Sequence, residues 1–246
     1  MSADTPEELA ALQAAGRVVA DALRAMERAV KPGVTTAELD AIGAAVFARA
    51  GARSGPQLDY DFPGVNCISV NDEAVHGIPG PRRLLDGDLV KLDVTAELDG
   101  FYADACVSVH VGRANAEAFK LAQTARIALV EAMGAARAGA PLNAIGAAVE
   151  RAVAARGHSV CANLMGHGIG RRIHEPPDVP NLYIKKLTQP LTDGLVLTLE
   201  PIISAGNGAV RSTDDGWTIC TADGALSAHF EHTVVITAGE PLILTA

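Results

Sequence analysis

Hydrophobic and polar positions follow two different periods along this chain, and the order of the periods repeats. Residues 6–30 carry the three-to-four-residue spacing of an amphipathic helix. Thr5-Pro6-Glu7-Glu8 opens it with a capping side chain, a proline where its missing N–H costs nothing, and an acidic first turn. "KPGVTTAELD" (31–40) breaks that helix and caps a second one, running to about Ala52. Short strand-like runs follow: "NCISV" (66–70), "DLVKLDVTAEL" (88–98) and "GFYADACVSVHVG" (100–112). The last two are joined through Asp99-Gly100, a hairpin turn pair.

The plan then starts again. Residues 114–138 and 142–156 have helical period, and strand-like runs return at 159–164, 195–202 and 226–237. The second helix of each half holds almost the same octapeptide, "LDAIGAAV" at 39–46 and "LNAIGAAV" at 142–149, with seven of eight positions in agreement. The expectation is one α+β domain over 1–246, made of duplicated pseudo-two-fold halves at about 1–112 and 113–246. A curved antiparallel sheet would be backed by the helices, with a ligand cleft between the halves.

Composition narrows the function. No apolar run reaches the ~18 residues of a membrane span, and the acidic start "MSADTPEELAALQAAG" has no charged-then-apolar leader pattern. A formal net charge of −9 argues against nucleic acid as the main ligand and fits a protein that keeps carboxylates for cations. Cys67, Cys106, Cys161 and Cys220 form no C-x-x-C pair, so they read as buried thiols of a cytoplasmic protein.

Chemistry is suggested by polar residues in apolar surroundings. Asp93 and Asp104 lie in the two arms of the hairpin, Glu200 within "LVLTLEPII", and Glu231 within "ALSAHFEHTVVIT". Each is costly inside a strand unless paired or bound to metal; taken singly, each Asp also fits a solvent-facing acid. Together, four carboxylates would repel one another without a cation. With one imidazole added, the set suits two divalent first-row ions, which polarise a carbonyl and activate water. The H-E-x-x-H zinc motif is absent. In "GHGIGRRIHE" (166–175), Gly166, Gly168 and Gly170 disfavour the helix that would stack His167 on His174. One histidine is then free to complete a metal site and the other to face substrate. His76, in "AVHGIPG", is a third candidate, otherwise an ordinary loop histidine.

These residues give the chain a strong resemblance to the methionine aminopeptidases, within them the bacterial type I group. The resemblance runs from the first helix to "HTVVIT" through "VHGIPG", "KLDVTAELDGFYAD", "GHGIGRRIHE", "LTLEP" and "DGWTICTADGALSAHFEHT", in the family's order. It implies the pita-bread fold and removal of N-terminal methionine before a small second residue. It also implies five metal ligands: Asp93, Asp104, His167, Glu200 and Glu231. Asp104 and Glu231 match bridging carboxylates, Asp93 a chelator of one ion, and His167 with Glu200 the ligands of the other. His76 matches the histidine near the scissile nitrogen, His174 the donor to the carbonyl oxygen, and Glu200 the general base. Cys67, Phe62 and Trp217 match the methionine pocket. Nascent-chain substrates are the further implication; Co, Mn, Fe(II) and Zn all suit such a two-ion site, composition points to no membrane or nucleic-acid partner and a cytoplasmic protein, and a monomer is the default.

The chain departs from the family's pattern at Asp59, where a tyrosine is expected and Tyr60 follows one place later. It departs again at Ile173, in place of an aromatic, and at His229, in place of a glutamine. An Xaa-Pro aminopeptidase or dipeptidase would share the ligands but usually has a further N-terminal domain. The roughly 90 residues before Asp93 leave no room for one. A metal-free binding protein on the same scaffold would be expected to lose ligands.

Overall fold

Thr5 accepts a hydrogen bond from Glu8 N–H and starts α1 (Pro6–Ala29) in the computed structural model, which describes residues 1–246. Leu12, Val19, Leu23 and Met26 form its buried stripe, each removing apolar surface worth about 1.5–3 kcal/mol. In α2 (Thr36–Ala50) Thr35 and Glu38 close a reciprocal capping box, satisfying two N-terminal N–H groups that the helix itself leaves free. A short helix, α3 (Gly55–Tyr60), follows, which the hydrophobic period does not announce; Ser54 caps it and Asp61 ends it in the left-handed region at φ 57°. The second set is α4 (Ala116–Ala135) and α5 (Asn143–Ala154), packed on each other.

Every strand pairing is antiparallel, and the strands fall into four hydrogen-bonded sheets. Leu89–Leu98 and Phe101–His110 form the long hairpin, flanked by Cys67–Val70 and Arg53–Ser54. Asp99 and Gly100 take φ of 51° and 84°, the two positive values that a tight hairpin turn requires. Helix α1 lies across this hairpin. The five-stranded sheet is built from Met165–Gly168, Glu175–Pro180, Val196–Leu199, His232–Val235 and Leu242–Ile243. The largest apolar cluster lies between α4, α5 and strands that include Val196–Leu199, and a second lies between α1, α2 and the hairpin.

The shared octapeptide has a packing reason. A Cβ on Gly43 would stand 2.6 Å from Asn66 Nδ2 and 2.8 Å from Met26 Sδ. One on Gly146 would stand 2.2 Å from the Leu182 carbonyl oxygen. At Gly146 neighbouring backbone packs closer than any side chain allows, while at Gly43 the close neighbours are the side-chain ends of Asn66 and Met26. Between the sheets, buried Lys91 donates from Nζ to the carbonyls of Asn71 (2.7 Å) and Ser227 (3.3 Å). All four cysteines are free and buried. No helix is long and apolar enough to cross a membrane.

Candidate active site

The hairpin register places the first two carboxylates. Asp93 pairs with Cys106 and Thr95 with Asp104, while Cys67 pairs with Asp93 from the other side. Opposed residues share a face, as do residues two apart on one strand. Cys67, Asp93 and Asp104 therefore lie on one face of the sheet. The spacing of 11 residues around a two-residue turn makes the two Asp diagonal neighbours.

Glu200 and Glu231 correct the sequence expectation of strand interiors. Each sits in a break: Glu200 between Val196–Leu199 and Ile202–Ser204, and Glu231 between Ser227–His229 and His232–Val235. Pro201, which has no N–H for a ladder, follows Glu200. Glu231 gives its N–H to the Cys106 carbonyl of the hairpin (2.9 Å), so its backbone leaves the line of its own strand.

His167 lies on Met165–Gly168, with its backbone N–H on Thr198 Oγ1 (3.0 Å), and the same hydroxyl donates to Glu200 Oε1 (3.0 Å). Thr198 is a member of the site that sequence reading missed, although a threonine between two leucines in "LTLEP" was a visible signal. His167 Nδ1 is 2.9 Å from the Gly168 carbonyl oxygen. A carbonyl only accepts, so the proton is on Nδ1 and Nε2 presents its lone pair, as metal-ligating histidines do. That Nε2 stands 3.4 Å from Glu200 Oε1.

The donor atoms of Asp104, His167 and Glu231 lie within 4.8 Å of one another, and so do those of Glu200, His229 and Glu231. Desolvation, and after it the repulsion of Asp104 and Glu200, push Asp93 well above the usual carboxylate range; Glu231 rises for the same reasons. Glu200 rises through desolvation and then Asp104, and Asp104 itself is raised to about 6 by desolvation. Burial pushes His167 down to about 3, so the imidazole is neutral. Asp104 Oδ1 is buried without a hydrogen-bond partner. A neutral imidazole lone pair facing carboxylates, one of them with an unpartnered oxygen, is a poor arrangement by itself and a good one around divalent cations. The residues fit a metal centre.

Around this centre is a cleft of about 740 Å³. Phe62, Cys67, His76, His174 and Trp217 line it together with Asp93, Asp104, His167, Glu200 and Glu231, so all ten candidates meet in one place. Phe62 and Trp217 pack edge to face at 5.2 Å between ring centres. His76 takes φ 58° directly after the strand Glu73–Val75, and its pKa is pushed down to about 4 by burial and then by the nearness of His174. His174 stands in the loop between Met165–Gly168 and Glu175–Pro180, its ring 4.2 Å from that of His167. The stretch 166–175 is thus two strand ends and a loop, without a helix.

The model of metallopeptidase family M24 matches residues 10–238. Methionine aminopeptidase 2 of Bacillus subtilis is 44% identical over 241 residues, covering 97% of each chain. The methionine aminopeptidase of Clostridium perfringens is 39% identical, over 97% of this chain and 96% of its own. Among solved structures, methionine aminopeptidase from Thermotoga maritima superposes with a TM-score of 0.96 at 33% identity, over 100% of this chain and 99% of that one. With the pita-bread arrangement of helices and antiparallel sheets and the metal-ligating cluster already in place, the chain belongs to metallopeptidase family M24, among its bacterial methionine aminopeptidases.

Proposed function

We propose that this methionyl aminopeptidase acts on peptides and nascent proteins with a small second residue, using two divalent ions held by Asp93, Asp104, His167, Glu200 and Glu231. The observation that carries the proposal is the His167 tautomer: Nδ1–H is bound to the Gly168 carbonyl, leaving the Nε2 lone pair among carboxylates. Asp104 and Glu231 would be shared between the ions, Asp93 would hold one, and His167 with Glu200 would hold the other. Co, Mn, Fe(II) and Zn all suit such an oxygen-rich, one-nitrogen set. Bound ions supply Lewis acidity to the scissile carbonyl and lower the pKa of the attacking water.

The remaining chemistry belongs to side chains. Glu200 takes the proton of the attacking water on a carboxylate oxygen and returns it to the leaving amine. His174 donates a hydrogen bond to the carbonyl oxygen as negative charge develops there. His76 faces the scissile nitrogen. Phe62, Cys67 and Trp217 receive the methionine side chain. We read the chain as one catalytic domain of two duplicated halves, about 1–112 and 113–246, a reading supported by the near-identical octapeptides at 39–46 and 142–149, each with a closely packed glycine, Gly43 and Gly146. The four free thiols suit a reducing, cytoplasmic setting, and a monomer is the default reading.

The test is cleavage of Met-Ala-Ser with metal content measured in parallel. Chelation should abolish turnover, and two ions per chain should restore it. Full activity in protein shown by elemental analysis to be metal-free would overturn the proposal.

A further inference from the structure

Two of the chain's departures from the family pattern, the shifted Asp59-Tyr60 pair and Ile173, meet at one point. Asp59 and Tyr60 are the last residues but one and the last of α3, and Ile173 precedes His174 in the loop at the cleft. The Tyr60 hydroxyl lies 2.6 Å from His174 Nδ1, with the rings 5.5 Å apart and tilted. Asp59 Oδ2 accepts the Ile173 N–H at 3.2 Å, and its Oδ1 accepts the Tyr102 hydroxyl at 3.0 Å. Two consecutive residues of a short helix thus hold two consecutive residues of the loop. On the loop's other side, Glu175 Oε1 accepts the N–H groups of Arg171 (2.6 Å) and Arg172 (2.9 Å).

The departures depend on one another. A tyrosine at 59 could not accept two hydrogen bonds as a carboxylate does. Ile173 is buried in one apolar cluster with Phe101 and Tyr102, and its backbone N–H reaches Asp59. Tyr102 thus shares the apolar cluster of Ile173 and donates to Asp59.

We infer that Tyr60 is a positioning residue: its hydroxyl donates to His174 Nδ1, which places the imidazole proton on Nε2, the nitrogen left to donate to the substrate carbonyl. Asp59 holds the loop at the height where that bond forms. The inference rests on the reading of His174 as the carbonyl donor. Imidazole carries one ring proton when neutral, so a donor bound at one nitrogen fixes the proton on the other. His174 Nδ1 is the hydroxyl's one hydrogen-bond partner. Without it the imidazole would divide between two tautomers, and one of them cannot donate from Nε2.

The experiment is a double-mutant cycle on the metal-loaded enzyme, Tyr60→Phe and His174→Ala singly and together, with kcat, KM, metal content and thermal midpoint for each. Tyr60→Phe should lower kcat about five- to tenfold, the scale of one neutral hydrogen bond, with KM within about twofold and unchanged metal content. In the His174→Ala background the same change should cost nothing. Imidazole nitrogen NMR of the zinc-loaded enzyme should place the His174 proton on Nε2, with the preference lost in Tyr60→Phe. Asp59→Asn, which keeps an acceptor, should stay near wild type, and Asp59→Ala should resemble Tyr60→Phe. Wild-type kcat in Tyr60→Phe, an equal loss in both backgrounds, or a proton found on Nδ1 would each overturn the inference. If His174→Ala alone left kcat unchanged, it is the carbonyl-donor reading that would fall, and the positioning role with it.

Discussion

His229 Nε2 lies 3.6 Å from Glu200 Oε2, nearly the separation of His167 Nε2 from Glu200 Oε1 on the other side of the same carboxylate, 3.4 Å. Glu200 therefore stands between two imidazoles. His229 is 2% exposed, has no hydrogen-bond partner on either ring nitrogen, and lies 3.7 Å from Glu231 Oε2. These separations exceed a hydrogen bond, yet nothing else is available to the ring. Groups that orient metal-ligating carboxylates typically contribute 10–100-fold to metal affinity. His229→Leu should weaken metal binding by about tenfold or more, and His229→Gln, which restores an N–H donor, should recover most of it. Calorimetric titration of each metal-free variant checks this. Equal affinity in wild type and His229→Leu would show that the ring is only packing.

The carboxylate cluster should make the metal-free protein weaker as pH rises. Burial raises Asp104 from the ordinary aspartate value of 3.8 to about 6, and Asp93, Glu200 and Glu231 are raised as well. The folded state thus holds more protons than the unfolded chain from about pH 4 upward, so ν_U − ν_N is negative and stability falls with pH. The contribution is complete below the unfolded pKa and is lost through the folded one. Asp93→Asn removes one charge from the cluster without changing its shape. In chelated protein near neutral pH it should raise the thermal midpoint, by about 2–4 °C for each kcal/mol of repulsion relieved. The gain over wild type should shrink toward pH 4. The same variant should bind metal poorly. A wild-type midpoint at both pH values would show that the cluster carries no such strain.

How far this was legible in advance differs from element to element. The Asp99-Gly100 pair gave the hairpin, and the hairpin's register alone puts Asp93 and Asp104 on one face; Cys67 joins them only through the pairing of Cys67–Val70 with Leu89–Leu98, which no turn signal announces. The break at Glu200 could have been read from Pro201. The break at Glu231 could not, because it depends on the Cys106 carbonyl, which is remote in sequence. Helix α3 was invisible because six residues are too few to show a period, and its ends are set by Ser54 and Asp61. The bond between Tyr60 and His174, 114 residues apart, leaves no local signal at all.

Glu200→Gln and Glu231→Gln should fail in different ways. Glu200 is anchored by the Thr198 hydroxyl, a partner that a glutamine can keep, so metal should be partly retained while turnover falls as the base is lost. Glu231 belongs to both potential metal-binding groups, with Asp104 and His167 and with Glu200 and His229. Losing its charge should release metal from the site as a whole. Metal content and turnover, measured on both variants, separate the cases. Two variants with wild-type metal and wild-type turnover would refute both roles.

Substrate choice should follow the shape of the cleft. Phe62 is buried and Trp217 half-buried, meeting edge to face at 5.2 Å, and Cys67 is buried on the sheet face beside Asp93. This apolar group suits an unbranched thioether side chain, since sulfur packs favourably against aromatic rings. Apolar pockets discriminate by only about 1–3 kcal/mol per methylene, so peptides beginning with norleucine or leucine should be cleaved slowly rather than refused. Beyond the first residue, the loop that carries His174 rises beside His167, with ring centres 4.2 Å apart, and Tyr60 is bonded to its outer side. This loop should exclude a large second side chain. With metal-loaded enzyme, kcat/KM should therefore fall in the order Met-Ala, Leu-Ala, Met-Leu, and Ala-Pro should be the poorest. Faster cleavage of Ala-Pro than of Met-Ala would remove the methionine pocket from the account while leaving the metal centre intact. Equal rates for Met-Ala and Met-Leu would show instead that the His174 loop does not restrict the second residue.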